Sequence, residues 1–184
     1  SLPGEHNLLN SLAAFAAATA VGAAEDKLII GLKSFTGTRR RFELKGEVGG
    51  VKVIDDYGHH PTELTVTLIA AKNLAQSGRV LVVFQPHRYS RTAAFAPAFA
   101  TALQIADFTF LLEVYAASEK PISGVSSLLI AKNMTDAQVK FEPSMLTVVS
   151  EVAAMAKSGD VIITLGAGDV SSLGEPILQA LSSR

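Results

Sequence analysis

Val80-Leu81-Val82-Val83-Phe84 is an unbroken run of five large apolar residues, and Gln85-Pro86-His87-Arg88-Tyr89-Ser90-Arg91 follows it at once. A strand that is apolar on both faces must be covered on both faces, which is the situation of a parallel sheet between two layers of helix. Outward from this run, Phe108 to Leu112 and Val161 to Leu165 have the same character. Between and after them, helical patterns run near Pro61 to Gln76, Thr92 to Ile105, Val125 to Lys132, Pro143 to Lys157 and Leu173 to Leu181. This alternation predicts an α/β fold, doubly wound around a mostly parallel sheet. Ligands of such sheets lie beyond the carboxyl ends of the strands. Asp55-Asp56, Gln85 to Arg91, Glu113 to Tyr115 and Gly166 to Asp169 all fall at those ends, so one shared rim is the expected site.

Upstream the pattern changes. Arg41 to Lys45 alternates polar and apolar residues, Gly49-Gly50 makes a turn, and Val51 to Ile54 resumes as a strand. Before that, Leu8, Leu9, Leu12, Phe15, Ala16 and Val21 recur at helical spacing between Glu5 and Val21, and Gly22 stops the run. A second helix is expected from Glu25 to Lys33, with acidic residues in its first turn where the helix dipole favours them. Phe35-Thr36-Gly37-Thr38 breaks the pattern, which divides the chain into residues 1–35 and residues 36–184.

With 184 residues, the chain has room for one ordinary domain and a piece of another. It is 48% apolar and 18% charged, the balance of a compact globule rather than a disordered segment. Sixteen Lys and Arg face seventeen Asp and Glu, so no global field draws it to nucleic acid or an anionic membrane. Cysteine is absent, which excludes disulfides and thiolate chemistry and fits a reducing, cytoplasmic setting. The longest apolar stretch, Leu12 to Ala24, falls short of the roughly 20 residues that span a bilayer. The chain begins at Ser1 rather than at methionine and reads as a piece of a longer protein.

Arg88 and Arg91 stand three residues apart where a strand ends and a helix begins. If Tyr89 or Ser90 starts that helix, the two guanidinium forks can converge on one carboxylate or phosphate, helped by the partial positive charge of the helix start. The alternative is a solvated capping cluster. Asp55-Asp56-Tyr57-Gly58-His59-His60-Pro61 gathers carboxylates and imidazoles. His59 and His60 point to opposite sides of an extended segment and no further histidine lies at ligand spacing, so no metal site is expected. Gly58 suits a tight turn and Pro61 the first turn of a helix. Gly166-Ala167-Gly168-Asp169 reads better as a structural turn than as a phosphate cradle. A Gly-x-x-x-x-Gly-Lys-Thr/Ser phosphate loop is missing from the sequence, so this chain should not hydrolyse ATP by itself. In His6-Asn7-x-x-Asn10 the two asparagines share one helix face; capping is their simplest role, and pairing with an adenine edge is the other.

Gly4-Glu5-His6-Asn7-Leu8-Leu9-Asn10, Phe35-Thr36-Gly37 with Arg40-Arg41-Phe42-Glu43, Asp55 to Glu63, Phe84 to Thr92, Glu113-Val114-Tyr115 and Gly166 to Asp169, taken in this order, resemble the Mur ligase family. The pieces cover nearly the whole chain. Within the family, Phe84 to Arg91 looks like the alanine-adding branch; the murein-tripeptide ligases of cell-wall recycling resemble the chain around Asp55 to Pro61. The resemblance implies that residues 36–184 form a Rossmann-like carboxyl-terminal amino-acid-binding domain and residues 1–35 the last helices of a central ATP-binding domain. It implies an ATP- and magnesium-dependent ligase of peptidoglycan synthesis, which phosphorylates the carboxylate of UDP-N-acetylmuramate and couples it to L-alanine. The magnesium ligands would belong to the central domain. Carried over by motif, His6, Asn7 and Asn10 would contact adenine, Arg41 would approach the phosphates, and Asp56 would help hold the nucleotide. Arg88 and Arg91 would take the alanine carboxylate, with Tyr57, His59 and His87 beside it; His59 would join Arg41 and Asp56 in catalysis. Arg40 and Arg41 are hard to separate within a run of three arginines. Outside this class, a stand-alone amino-acid or anion-binding module is the alternative.

Overall fold

A computed structural model of the chain describes residues 5–134 and 138–184. It parts into two compact units between Arg39 and Arg40, a few residues beyond the break expected from sequence. The first unit holds α1 (Glu5–Ala20) and α2 (Glu25–Ser34). Leu8, Leu9 and Leu12 on α1 are exposed, Phe15 is half-buried, and α2 has no buried residue.

In the second unit the strands form one sheet, in the order β1 (Glu43–Val48), β2 (Val51–Asp56), β6 (Val161–Leu165), β3 (Val80–Phe84), β4 (Phe108–Leu111), β5 (Val139–Phe141). Only β1 runs antiparallel to its neighbour. It is joined to β2 through Gly49 and Gly50, both at positive φ (58° and 77°), the backbone that a two-residue hairpin turn demands. The mostly parallel, doubly wound sheet inferred from the apolar runs is present.

Every residue of β3 and β6 is buried, and their side chains divide between two cores. Val80, Val82, Phe84, Ile163 and Leu165 face α3 (Pro61–Ala75), α4 (Tyr89–Leu103) and α5 (Leu128–Ala131) through Leu64, Leu68, Phe99, Leu103 and Ile130. Leu81, Val83 and Ile162 face α6 (Met145–Met155), the 3-10 turn Asp169–Leu173 and α7 (Gly174–Ser182) through Val148, Val152, Val170 and Ile177.

Several boundaries differ from the sequence reading. Helix α4 begins at Tyr89, not Thr92, and α5 spans four residues rather than the whole of 125–132. The first strand starts at Glu43 rather than Arg41, because Arg40 and Phe42 adopt left-handed backbone (φ 59° and 48°) that no strand tolerates. Strand β5 was not foreseen: three half-buried residues at a sheet edge leave too short a pattern to read. Among the described residues, no helix is long and apolar enough to cross a membrane.

At the amino edge of the sheet, the loops entering β3 and β6 press together. A methyl group on Gly78 would lie well inside contact distance of the Gly159 carbonyl oxygen. Beside them Asp160, 3% exposed, accepts from the Arg79 backbone N–H (2.9 Å), the Arg79 guanidinium (2.6 Å) and the Lys157 N–H (2.9 Å). Burial by itself raises the pKa of this carboxyl, but the Arg79 and Lys157 bonds outweigh it and hold it below the usual range. Gly78→Ala is expected to lower the unfolding free energy by more than about 2 kcal/mol in urea, against about 1–2 kcal/mol for Gly49→Ala, whose added methyl meets open space and costs only its left-handed backbone. Because the folded state holds the Asp160 proton less tightly, its contribution is full above the unfolded pKa of about 4 and is lost as pH falls through the folded value. Wild-type stability should therefore fall more steeply on acidification than that of Asp160→Asn.

Candidate active site at the carboxyl edge of the sheet

Strand β2 ends in two carboxylates that act as struts. Asp55 accepts from Arg40 Nε (3.0 Å) and the Thr164 hydroxyl (2.7 Å), while Arg40 Nη2 also donates to the Gly166 carbonyl (2.6 Å). Asp56 accepts from the backbone N–H of Phe42 (2.8 Å) and of Gly58 (2.7 Å), one on each oxygen. Burial raises the Asp56 pKa against the pull of these bonds. Gly58 has ordinary negative φ; it is required for space, since a methyl there would sit 2.8 Å from the Asp56 carboxylate.

The adjacent arginines separate cleanly. Both guanidinium groups lie over the Tyr57 ring, at 5.0 Å for Arg40 and 5.5 Å for Arg41. Arg40 is committed to Asp55 and Gly166, whereas the Arg41 side chain is 52% exposed and only 3.9 Å from Glu63. Of the two, Arg41 has the less engaged guanidinium.

His60 caps α3, its Nδ1 accepting from Thr62 N–H, and Glu63 closes the capping box from inside the first turn, behind Pro61. Glu63 also accepts from His59 N–H (2.9 Å) and lies 3.6 Å from His59 Nδ1. Burial raises its pKa, but the bonds from His59 and His60 bring it below the usual range. The neighbouring imidazoles diverge: His60 packs edge-on against Phe95, and His59 lies between Tyr57 and His87, 5.2 and 5.9 Å from their rings. Among the described residues, no group of three or more His, Cys, Asp or Glu side chains is placed to share a metal ion.

Beyond β3, His87 bridges to Tyr115: Arg88 N–H donates to Tyr115 O and Tyr115 N–H to Pro86 O, both at 2.8 Å. The two rings stack at 5.5 Å. Helix α4 starts at Tyr89, with Arg88 held at φ 75° ahead of it as the N-cap and Arg91 in its first turn. The helix start itself is not open, because Glu119 accepts from Ser90 N–H (3.0 Å) and the Ser90 hydroxyl (2.6 Å). Arg88 is exposed, and Arg91 is half-buried. Arg91 Nη1 and His87 Nδ1 are buried atoms with no hydrogen-bond partner. Buried polar atoms are ordinarily satisfied, so these two rim atoms have unused capacity for a polar ligand. Burial, then the charges of Arg91, His59 and Arg88, lower the His87 pKa and favour its neutral form.

After β6, Gln85 clamps the glycine turn by donating to Asp169 (2.7 Å) and accepting from Val170 N–H (3.1 Å). A methyl on Gly168 would run into Gln85 and Tyr115. Gly166 to Asp169 is therefore a packed structural turn. Tyr57, His59, His87, Arg88, Arg91 and Arg41 all lie on the carboxyl rim of the second unit. Asn7 and Asn10 lie on α1 of the first unit with His6, whose side chain is outside the described residues. Sequence reasoning assigned no role to Tyr115, Gln85 or Glu119. The first two stood on the predicted rim, but Glu119 is 29 residues from Ser90 and carries no local signal.

A family model described as Mur ligase, glutamate ligase domain, matches residues 40–168. The chain is 50% identical over 187 residues to the UDP-N-acetylmuramate–L-alanine ligase of Mycobacteroides abscessus, covering 100% of this chain and 38% of that enzyme. The crystal structure of UDP-N-acetylmuramate-alanine ligase from Thermotoga maritima matches at TM-score 0.76 and 27% identity, covering 99% of this chain and 39% of that one. A murein peptide ligase from Psychrobacter arcticus matches at TM-score 0.74 and 28% identity, covering 100% and 38%.

His87 should titrate below the ordinary histidine value of about 6.5 when followed by NMR of its ring protons. Arg91→Gln, which removes one repelling charge, should raise the midpoint; a midpoint unmoved by that change would contradict the geometry described.

Proposed function

Since the chain belongs to the Mur ligase family through its glutamate ligase domain, we propose that it is the amino-acid-binding part of an ATP-dependent ligase joining L-alanine to UDP-N-acetylmuramate in cytoplasmic peptidoglycan synthesis. Residues 36–184 are the amino-acid-binding domain in this reading, and residues 1–35 end a central ATP-binding domain. The chain spans 38% of the curated relative cited above. The bare apolar side chains Leu8 (60% exposed) and Leu12 (57%) support further protein packing against α1.

The observation that carries the proposal is the pair of buried, unpartnered atoms, Arg91 Nη1 and His87 Nδ1, beside the exposed guanidinium of Arg88. A carboxylate is the anion that every amino acid presents, and two guanidinium forks with a neutral imidazole bind one with defined orientation. Holding alanine there aims its amine at the activated muramoyl carboxylate, and positioning of this kind accounts for much of the catalysis in a bimolecular amide synthesis. ATP supplies the phosphoryl group that activates that carboxylate. Tyr57 and His59, whose rings run on to His87 at 5.2 and 5.9 Å steps, are proposed beside the alanine carboxylate, and Arg41, 52% exposed, is suited to phosphate. Asp56 serves through the backbone that carries Tyr57 and Gly58, since both its oxygens are already engaged. His6, Asn7 and Asn10 remain proposed for the adenine side. Magnesium, which phosphoryl transfer from ATP calls for, is proposed for the central ATP-binding domain in this reading.

Fold similarity does not separate the alanine ligase from the murein peptide ligase, whose TM-scores are 0.76 and 0.74. The 50% identity to an alanine ligase favours the first. Likeness over 100% of the chain to part of a longer enzyme disfavours a stand-alone binding module.

In the full-length ligase, Arg88→Ala and Arg91→Ala should each raise the alanine KM by about tenfold or more, while the ATP KM changes little. Equal, small effects on both constants would refute the carboxylate clamp. The 184-residue chain by itself should turn over no ATP; ATPase activity that survives purification to homogeneity would refute the assignment of phosphoryl chemistry to another domain.

A further inference from the structure

Two strained segments face one another across the arginine cluster. Arg88 has φ 75°, and Ala117 and Ser118, just before Glu119, have φ 48° and 71°. Left-handed backbone at non-glycine residues is strained and is concentrated at functional sites. Here it directs Glu119 onto the first turn of α4. The segment Tyr115 to Glu119 is fixed at both ends. Tyr115 is pinned by its two backbone bonds and its stack on His87, and Glu119 by the two Ser90 bonds, with Arg88 Nη1 at 4.0 Å. The Ser90 bonds hold the Glu119 carboxyl below the usual range, so it is charged at neutral pH.

The consequence concerns which anions fit. A helix start next to two arginines would bind anionic groups readily, and would welcome a second carboxylate on the substrate side chain. Glu119 takes the Ser90 donors and part of the field of Arg88, while Arg91 Nη1 stays free. We propose that Glu119 positions Arg88 and makes the site selective for amino acids with a single carboxylate, by filling the anion place at the start of α4 with a fixed negative charge. The proposal rests on the amino-acid-binding reading given above. Discrimination by an opposing like charge is a common route to specificity.

The test is steady-state kinetics of the full-length ligase with L-alanine and L-aspartate at saturating ATP and UDP-N-acetylmuramate. Glu119→Gln keeps the shape and an acceptor for Ser90 but removes the charge. It should raise the alanine KM and lower the kcat/KM ratio of alanine to aspartate, each by about tenfold, with the ATP KM unchanged. A purely structural Glu119 would alter thermal stability but not that ratio. Arg88→Ala and Arg91→Ala are run alongside. If they raise the alanine KM while Glu119→Gln moves neither KM nor the ratio, the Glu119 inference fails alone. If neither arginine variant moves the alanine KM, the amino-acid-binding reading fails and takes this one with it. Should Glu119→Gln not fold, Ser90→Ala releases one of the two tethers and should lower the ratio severalfold; an unchanged ratio would overturn the proposal.

Discussion

The parallel pairing of β6 with β2 on one side and β3 on the other is the constraint on which the rest depends. Each flanking strand meets β6 in continuous register, Lys52 to Asp56 along one edge and Val80 to Phe84 along the other. Because the register is fixed on both edges, the ends of β2, β3 and β6 stop at one level. Asp56, Phe84 and Leu165 are aligned, and the polar residues after them emerge side by side. Slippage of either pairing by one residue would turn apolar side chains from one core to the other, which is why a sheet this apolar holds a site this exact in position.

The polar residues on that rim divide into two sets. Asp55, Asp56, Arg40, Thr164, Gln85 and Glu63 satisfy one another or nearby backbone and give the loops their shape. Arg41, Arg88, Arg91 and His87 are left with free capacity. Such a division lets a mobile ligand be recognised by groups whose supports are already in place, so little ordering remains to be done on binding.

Much of the fold was legible because its strands are buried on both faces and therefore read as plain apolar runs. Val80–Phe84 and Val161–Leu165 were located to the residue. The pattern failed where burial is partial, at β5, and where a chain bend is set by tertiary bonds, as at Arg40 and Phe42. For the site, composition indicated the rim and the arginine pair. Which of Arg40 and Arg41 is free depends on Thr164 and Gly166, more than a hundred residues away, and no local pattern carries that. The same holds for Glu119, whose partner Ser90 becomes a neighbour only when β4 pairs with β3.

Arg88 bears on evolution as well as on chemistry. Its backbone is in a region where glycine or asparagine would rest more comfortably than arginine. Selection for stability alone would erode this position, because replacement by glycine relieves strain and removes only a side chain that is exposed and loosely paired. An arginine in this strained backbone is what a trade of durability for function would look like. Laboratory selection of this chain for heat resistance without a demand for catalysis would be drawn to that residue early, and would disarm the site before it disturbed the fold.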